Sequence, residues 1–364
     1  MKKSPFNLPI NQLPVIELAG DFTQMGQQYG EACKQQIHEL ADIRLQAALQ
    51  HAKDRGRDFN KQQALDLAAE NIDFVKNYDA NAFAEMQGIC QAAGISMAEL
   101  YIMQGLTDFR DFLSWGKTPD GLGCTSLIIS RERSKSGKLL LAQNWDLQTS
   151  NMPYVCFVKR RPQEGPQTLS LTIAGGLSMI AINSEGLAIG TNNIKTIDSR
   201  PGLHYLNIIH KVMSCRSVKE AVKTIDETRR SGAHYYLIGD KNGDFSGLEC
   251  SATRTAELPA KNGLVTHCNH PIHPAIDELN AEDMGQSTCN RQMRINELTQ
   301  TGQFDEAKIK EMLSDHEGGD LAICRHDVSE SISTNASIII SPETGEIHAC
   351  RSHPHSGIWQ SFTF

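Results

Sequence analysis

Ten cysteines are spread along the chain, at positions 33, 90, 124, 156, 215, 250, 268, 289, 324 and 350. One differs from the rest in what precedes it. Cys124 follows Gly123 at the end of a glycine- and proline-rich stretch, WGKTPDGLG, that begins at Trp115. If the Gly123–Cys124 bond is cut, Cys124 carries both a thiol, with an ordinary pKa of about 8.5, and an α-amine, with one of about 7.7 to 8.0. The two nearly match, so a proton passes from sulfur to nitrogen at small cost and one residue supplies nucleophile and base. The cut can use the same sulfur. The thiol attacks the Gly123 carbonyl, the acyl group moves from nitrogen to sulfur, and water hydrolyses the thioester. Glycine at 123 places no Cβ in the path of attack. Gly-Leu-Gly-Cys is equally the sequence of a turn into a strand, and a cysteine of unknown surroundings is by default a buried apolar residue.

A second cluster is Thr266-His267-Cys268-Asn269-His270, with His273 beyond. His and Cys this close raise a metal-dependent hydrolase as an alternative, centred on His267 to His273. Its spacing fits no paired CxxC site. In a strand, His267 and Asn269 would share one face while Cys268 and His270 point to the other. The chain has no GxxxxGK[ST], HExxH or GxGxxG, so no metal and no cofactor is expected.

Apolar residues recur every three to four positions between about Asp21 and Phe112, as in Leu65-Ala68-Ala69-Ile72, which predicts a mostly helical segment. Gly94 closes one helix, and Ser96 with Glu99 caps the next. WGKTPDGLG reads as an exposed boundary. After Cys124 the period becomes strand-like through SLIIS, KLLLAQN, YVCFVKR, TLSLTIA, SMIAIN and GLAIGT, a run of antiparallel strands joined by short hairpins. Helices follow from about Leu203 to Thr228, and strands at His234 to Gly239 and Gly247 to Cys250. Two more helices, near Thr288 to Leu298 and Glu306 to Leu313, precede strands at Ala336 to Ser341 and Glu346 to Arg351. Helices packed on antiparallel sheets give an α+β fold.

The 364 residues suffice for one large domain or two modest ones. Thirty-five Lys and Arg against 43 Asp and Glu leave a formal charge of −8, which repels a nucleic-acid partner. The first fifteen residues, broken by proline and asparagine, contain no apolar signal core. No apolar run reaches the roughly 20 residues of a membrane span. A cytoplasmic location is expected, with most cysteines buried and reduced.

Gly123-Cys124-Thr125-Ser126, followed by Gln143-Asn144-Trp145-Asp146, resembles the start of the mature chain in the acyl-coenzyme A:6-aminopenicillanic acid acyltransferase family of self-cleaving N-terminal nucleophile hydrolases. Gly20 to Glu31, Ile182 to Thr191 (NxxGLA), Gly247-Leu248-Glu249, His267-Cys268-Asn269-His270 and Ile323-Cys324-Arg325 resemble further family signatures in the same order. Bile-salt hydrolases and penicillin V acylases, similar in fold, place an arginine where this chain has Gln143. The acyltransferase branch is therefore nearer. Its DGC cleavage sequence becomes Asp120-Gly121-Leu122-Gly123-Cys124 here.

The resemblance implies a four-layer αββα sandwich with a helical segment 1–123, released as an α chain, and a catalytic β chain 124–364. It also implies that the two chains stay associated, and it allows a homo-oligomer. Cys124 would be the nucleophile and, through its freed amine, the base. Asp146 would orient that amine and assist the cut. Asn269 would donate its side-chain amide to the oxyanion, with the backbone N–H of Asn193 as second donor. Arg325 would favour thiolate or anionic intermediate by its charge. The implied reaction is cleavage of a small N-acyl compound through a thioester, with the acyl group passing to water or to an acceptor amine. A non-catalytic binding protein that keeps the fold is the other alternative.

Overall fold

In the computed structural model, residues 4–113, 123–281, 285–326 and 332–364 are described. The chain opens with a strand, β1 (Val15–Gly20), and continues into seven helices: α1 (Phe22–Ala32), α2 (Lys34–Lys53), α3 (Lys61–Ala69), α4 (Ile72–Tyr78), α5 (Ala80–Ala93), α6 (Met97–Gln104) and α7 (Leu106–Leu113). Local chemistry sets their ends. Asp21 and Gln24 form a capping box on α1, Gly94 closes α5 in the left-handed conformation at φ +80°, and Ser96 with Glu99 caps α6 as expected. Two glycines let α1 and α5 nearly touch. A Cβ on Gly26 would lie 2.1 Å from the Glu85 carbonyl oxygen, and one on Gly30 would lie 2.6 Å from that of Ile89. The Trp115 to Leu122 part of the expected connection lies outside the described residues.

Strands β2 (Gly123–Ile129), β3 (Leu140–Gln148), β4 (Val155–Pro162), β5 (Thr168–Ile173), β6 (Ile180–Asn183) and β7 (Leu187–Ile194) follow as the alternation predicts. Next come α8 (Tyr205–Val212), α9 (Val218–Asp226), β8 (Ala233–Asp240), β9 (Phe245–Cys250), β10 (Thr255–Leu258), β11 (Leu264–His267), α10 (Pro274–Asp277), α11 (Gln286–Leu298) and α12 (Glu306–Leu313). The chain closes with β12 (Ile332–Ser341), β13 (Glu346–Arg351) and β14 (Trp359–Phe362). Two sheets result, ordered β1-β4-β5-β6-β7-β8-β9-β10 and β11-β2-β3-β12-β13-β14.

The sheets face each other between helices, giving the αββα sandwich. Gln143 of β3 bridges them by bonding both the N–H and the carbonyl of Thr191 in β7. The period-2 geometry of a strand sorts β2 cleanly. Cys124 and Ile128 join the large core shared with the first seven helices, while Leu127 and Ile129 join a separate cluster with Ile295 of α11 and Ile309 and Met312 of α12. β1 was not legible as a strand because its partner is remote: it runs parallel to β4, Val15 opposite Phe157. Among the described residues no helix is long and apolar enough to cross a membrane.

Candidate active site

Cys124 is the second residue of β2, opposite Trp145, and Gly123 lies opposite Asp146. The thiol residue is only 5% exposed. Its backbone is held from both sides. The Cys124 N–H donates to Asn269 Oδ1 at 2.6 Å, and the Cys124 carbonyl accepts from Arg291 Nη1. Arg291 also donates to Thr125 Oγ1 at 3.2 Å and to Asn269 Oδ1 at 3.0 Å. That guanidinium gives Gly123 a concrete steric role. A Cβ there would lie 2.5 Å from Arg291 Nη2.

Asn269 is fixed by its surroundings. The two donors converging on Oδ1 settle which end of the amide is oxygen, and Nδ2 donates to the Asn193 carbonyl at 2.8 Å. Its backbone N–H donates to Thr288 Oγ1 at 2.9 Å. Glu249 clamps the rest of this loop: it meets His267 Nε2 at 2.7 Å and accepts the N–H groups of Ile272 and His273 at 2.7 and 2.9 Å. The GLE and HCNH signatures thus hold one another.

Burial pushes the Cys124 thiol up to about 12, and the Asp146 carboxylate adds to this; the Asp146 backbone N–H, Arg291 and the Gln143 side chain pull the other way. Burial likewise raises Asp146 to about 6, against the pull of Arg291, Arg325 and the Thr334 hydroxyl. Thr334 Oγ1 donates to Asp146 Oδ1 at 2.7 Å, while Asp146 Oδ2 is buried with no hydrogen-bond partner among the described residues. A protonated thiol therefore sits beside a carboxylate with one unoccupied oxygen, the ingredients of proton abstraction.

Gly123, Cys124, Asp146, Asn193 and Asn269 line one cavity of about 30 Å³. Arg325 does not line it. Its backbone N–H donates to Thr334 Oγ1 at 2.9 Å, so it stands behind Asp146. The cation that touches Cys124 is Arg291, which the motifs did not single out. Helical spacing could have found it: Thr288, Arg291 and Ile295 form the buried face of α11, and an arginine on such a face needs a partner. His234 also lines the cavity. Its Nε2 is 3.0 Å from Asp108 Oδ1, which ties α7 to the site. A larger cavity of about 680 Å³, bordered by Leu258, Val265, His270 and Ile272, does not reach Cys124.

The His267 to His273 cluster does not converge. β11 ends at His267, so strand alternation stops there. His267 stacks on Tyr235 at 4.0 Å and is engaged by Glu249, His270 is bound to Thr288, and His273 Nδ1 accepts the Ala275 N–H that caps α10. Each ring has its own partner, and a metal-dependent centre there finds no support.

Residues 132–355 match the sequence model of a family described as acyl-coenzyme A:6-aminopenicillanic acid acyl-transferase. The matched span includes Asp146, Asn193, Asn269, Arg291 and Arg325 and starts beyond Cys124. The Emericella nidulans protein described as acyl-coenzyme A:6-aminopenicillanic-acid-acyltransferase 40 kDa form is 23% identical over 316 residues, covering 85% of this chain and 84% of that one. The conjugated bile acid hydrolase from Clostridium perfringens, solved in a mutant form, is 12% identical with a TM-score of 0.46, covering 66% of this chain and 97% of its own. Penicillin V acylase from Agrobacterium tumefaciens is 12% identical with a TM-score of 0.39, covering 62% and 82%.

Proposed function

The chain belongs to the acyl-coenzyme A:6-aminopenicillanic acid acyltransferase family, and on that premise we propose that it is a precursor that cuts itself between Gly123 and Cys124 and then cleaves small N-acyl amides through a thioester on Cys124. In the first step Asp146 Oδ2 takes the thiol proton and the sulfur attacks the Gly123 carbonyl carbon. The carbon–nitrogen bond breaks, nitrogen takes up the proton, and Gly123 is left as a thioester. Water attacks that carbonyl, returning the thiol and leaving Gly123 with a free carboxylate. Arg291 and Asn269 hold the peptide on either side of the attacking sulfur, so little ordering remains for the transition state.

The cut changes who carries the proton. The new α-amine, still aimed at Asn269 Oδ1, has an ordinary pKa near neutrality and becomes the base. The substrate amide is attacked by sulfur, its amine leaves with a proton, and water or an acceptor amine then takes the acyl group. Hydrolysis is favoured over transfer, because transfer needs a dedicated pocket for the acceptor amine and family membership does not establish one. Asn269 Nδ2 has two hydrogens, one used at Asn193; the other is the donor assigned to the oxyanion, with the Asn193 N–H beside it.

The single observation that carries this reading is the pairing of a buried Cys124 thiol with the unoccupied Asp146 oxygen next to a glycine that admits Arg291. The cavity beside them, about 30 Å³, is room for a water, against the roughly 300 Å³ or more of a ligand pocket. The two pieces would stay together, because β1 is a strand of the large sheet and Tyr29 of α1 donates to the Ile173 carbonyl at 2.6 Å. The test is amino-terminal sequencing of purified active protein. Cysteine as a first residue is expected; active material that yields only the precursor's own start overturns the proposal.

A further inference from the structure

Away from Cys124, two connections bring four imidazoles and a thiol together. His316 follows α12, Cys324 and His326 precede β12, and His353 and His355 follow β13. One ligand atom from each of Cys324, His326 and His355 lies within 4.8 Å of the others. The His326 ring centre is 4.7 Å from that of His355, 5.2 Å from His316 and 5.8 Å from His353. Nothing in the proposed reaction uses these groups.

We propose that Cys324, His326 and His355, with His316 as fourth ligand, bind a single zinc-type divalent ion. Cys324 Sγ and His355 Nδ1 are 3.4 Å apart. Two ligands of one tetrahedral zinc, at about 2.3 Å for sulfur and about 2.05 Å for nitrogen, are themselves about 3.6 Å apart. His316 Nδ1 donates to the Ser314 carbonyl at 3.1 Å, which puts the proton on that nitrogen and leaves the Nε2 lone pair for a metal. His326 Nδ1 is buried with no hydrogen-bond partner among the described residues. Among the described residues, Asp315 and Glu317 each give one oxygen to Arg294, at 2.7 and 2.6 Å.

The donor set chooses the ion. One sulfur and three imidazoles suit zinc or cobalt and disfavour magnesium and calcium, which take oxygen. Entry is open, since His316 and His355 are exposed and border a surface cavity of about 580 Å³. Ser352, held at φ +74° with its N–H on the Asn335 carbonyl at 2.8 Å, turns His353 and His355 back over the cluster. Binding replaces the Cys324 thiol proton, which passes to buffer, while the neutral imidazoles give lone pairs. The ion would staple the two connections. It would also fix both neighbours of Arg325, whose N–H bonds Thr334 and through it Asp146.

The site does not depend on the Cys124 chemistry, and its test reads metal rather than turnover. Full-length protein is stripped with a chelator and titrated with zinc and with cobalt against a chromophoric competitor. One equivalent is expected, with a tetrahedral cobalt spectrum, a thiolate charge-transfer band, and binding at least about 10-fold weaker in His355→Gln and His326→Gln. His355 is exposed, so H355Q decides even if H326Q fails to fold. No binding at about 10 µM metal, an octahedral spectrum without the thiolate band, or unchanged binding in H355Q overturns the proposal.

Discussion

Cys124 and Cys156 are alike in the property most often used to single out a reactive thiol. Both are buried, at 5% and 0% exposure, and burial pushes both up to about 12. Both also have an arginine nearby, Arg291 for one and Arg160 for the other. The difference lies in what else converges. Cys156 meets Tyr29 Oη at 3.5 Å, and Arg160 is engaged with Glu85 at 2.9 Å; Glu85 also keeps a buried oxygen without a partner among the described residues, but its partner is that arginine and no carboxylate is among the groups that shift this thiol. At Cys124 the partners instead grip the peptide backbone around the sulfur, and Asp146 keeps one oxygen open. A shifted pKa marks burial in both places; the second arrangement adds what the proposed cut needs, a carboxylate acting on the thiol and a peptide held on either side of it.

Substitution of each cysteine breaks that comparison most sharply. Cys124→Ala should abolish both self-cleavage and turnover, leaving one band in place of pieces of about 14 and 27 kDa, shares of 40.2 kDa by residue count. Cys156→Ala should still cut and turn over, losing about 1 kcal/mol of stability in denaturant unfolding. A cut Cys124→Ala chain would show that this sulfur is not the nucleophile.

Asp146→Asn is next. It should slow self-cleavage by about 10²- to 10⁴-fold and remove its pH dependence. With Asp146 as base of the proposed cut, the rate in the unsubstituted chain, followed on gels after refolding of denatured precursor, should rise with pH through the Asp146 value of about 6. The sign for stability is opposite. The folded state holds this proton more tightly than the unfolded chain, whose carboxyl titrates at about 3.9. Stability of the uncut Cys124→Ala chain should therefore fall as pH rises between those values and level off above.

Asn269→Ala should fold and lose about 10²- to 10³-fold in turnover number; a normal rate would place the oxyanion donors elsewhere. Gly123→Ala should have the smallest effect on the reaction, slowing the cut as its Cβ displaces Arg291, and should cost about 1 to 3 kcal/mol of precursor stability. Pairing it with Arg291→Ala should restore part of the lost stability in thermal melts. If it does not, the steric reading of Gly123 fails.

The elements were legible where periodicity is local. The strands after Cys124, the α6 cap and α12 all follow from neighbours in the sequence, because strand alternation, capping and helical repeat involve residues a few positions apart. β1, β10, β11 and β14 were not, since short strands depend on remote partners such as Phe157 for Val15. The site divides in the same way. Gly123, Cys124, Asp146 and Asn269 announce themselves by motif and share one cavity. Arg291 carries no motif, yet it bonds three groups of that centre.

Residue type and order alone determined that a thiol with a glycine before it could become nucleophile and base at once, and that helices would lie against antiparallel sheets. Tertiary structure alone decided which cation grips that cysteine's carbonyl, that His267 is engaged by Glu249, and that Cys324 meets a histidine from the connection after β13. The physical reason is range: covalent neighbours fix what a residue can do, while burial and charge act through space, between residues as far apart in the chain as 124 and 291.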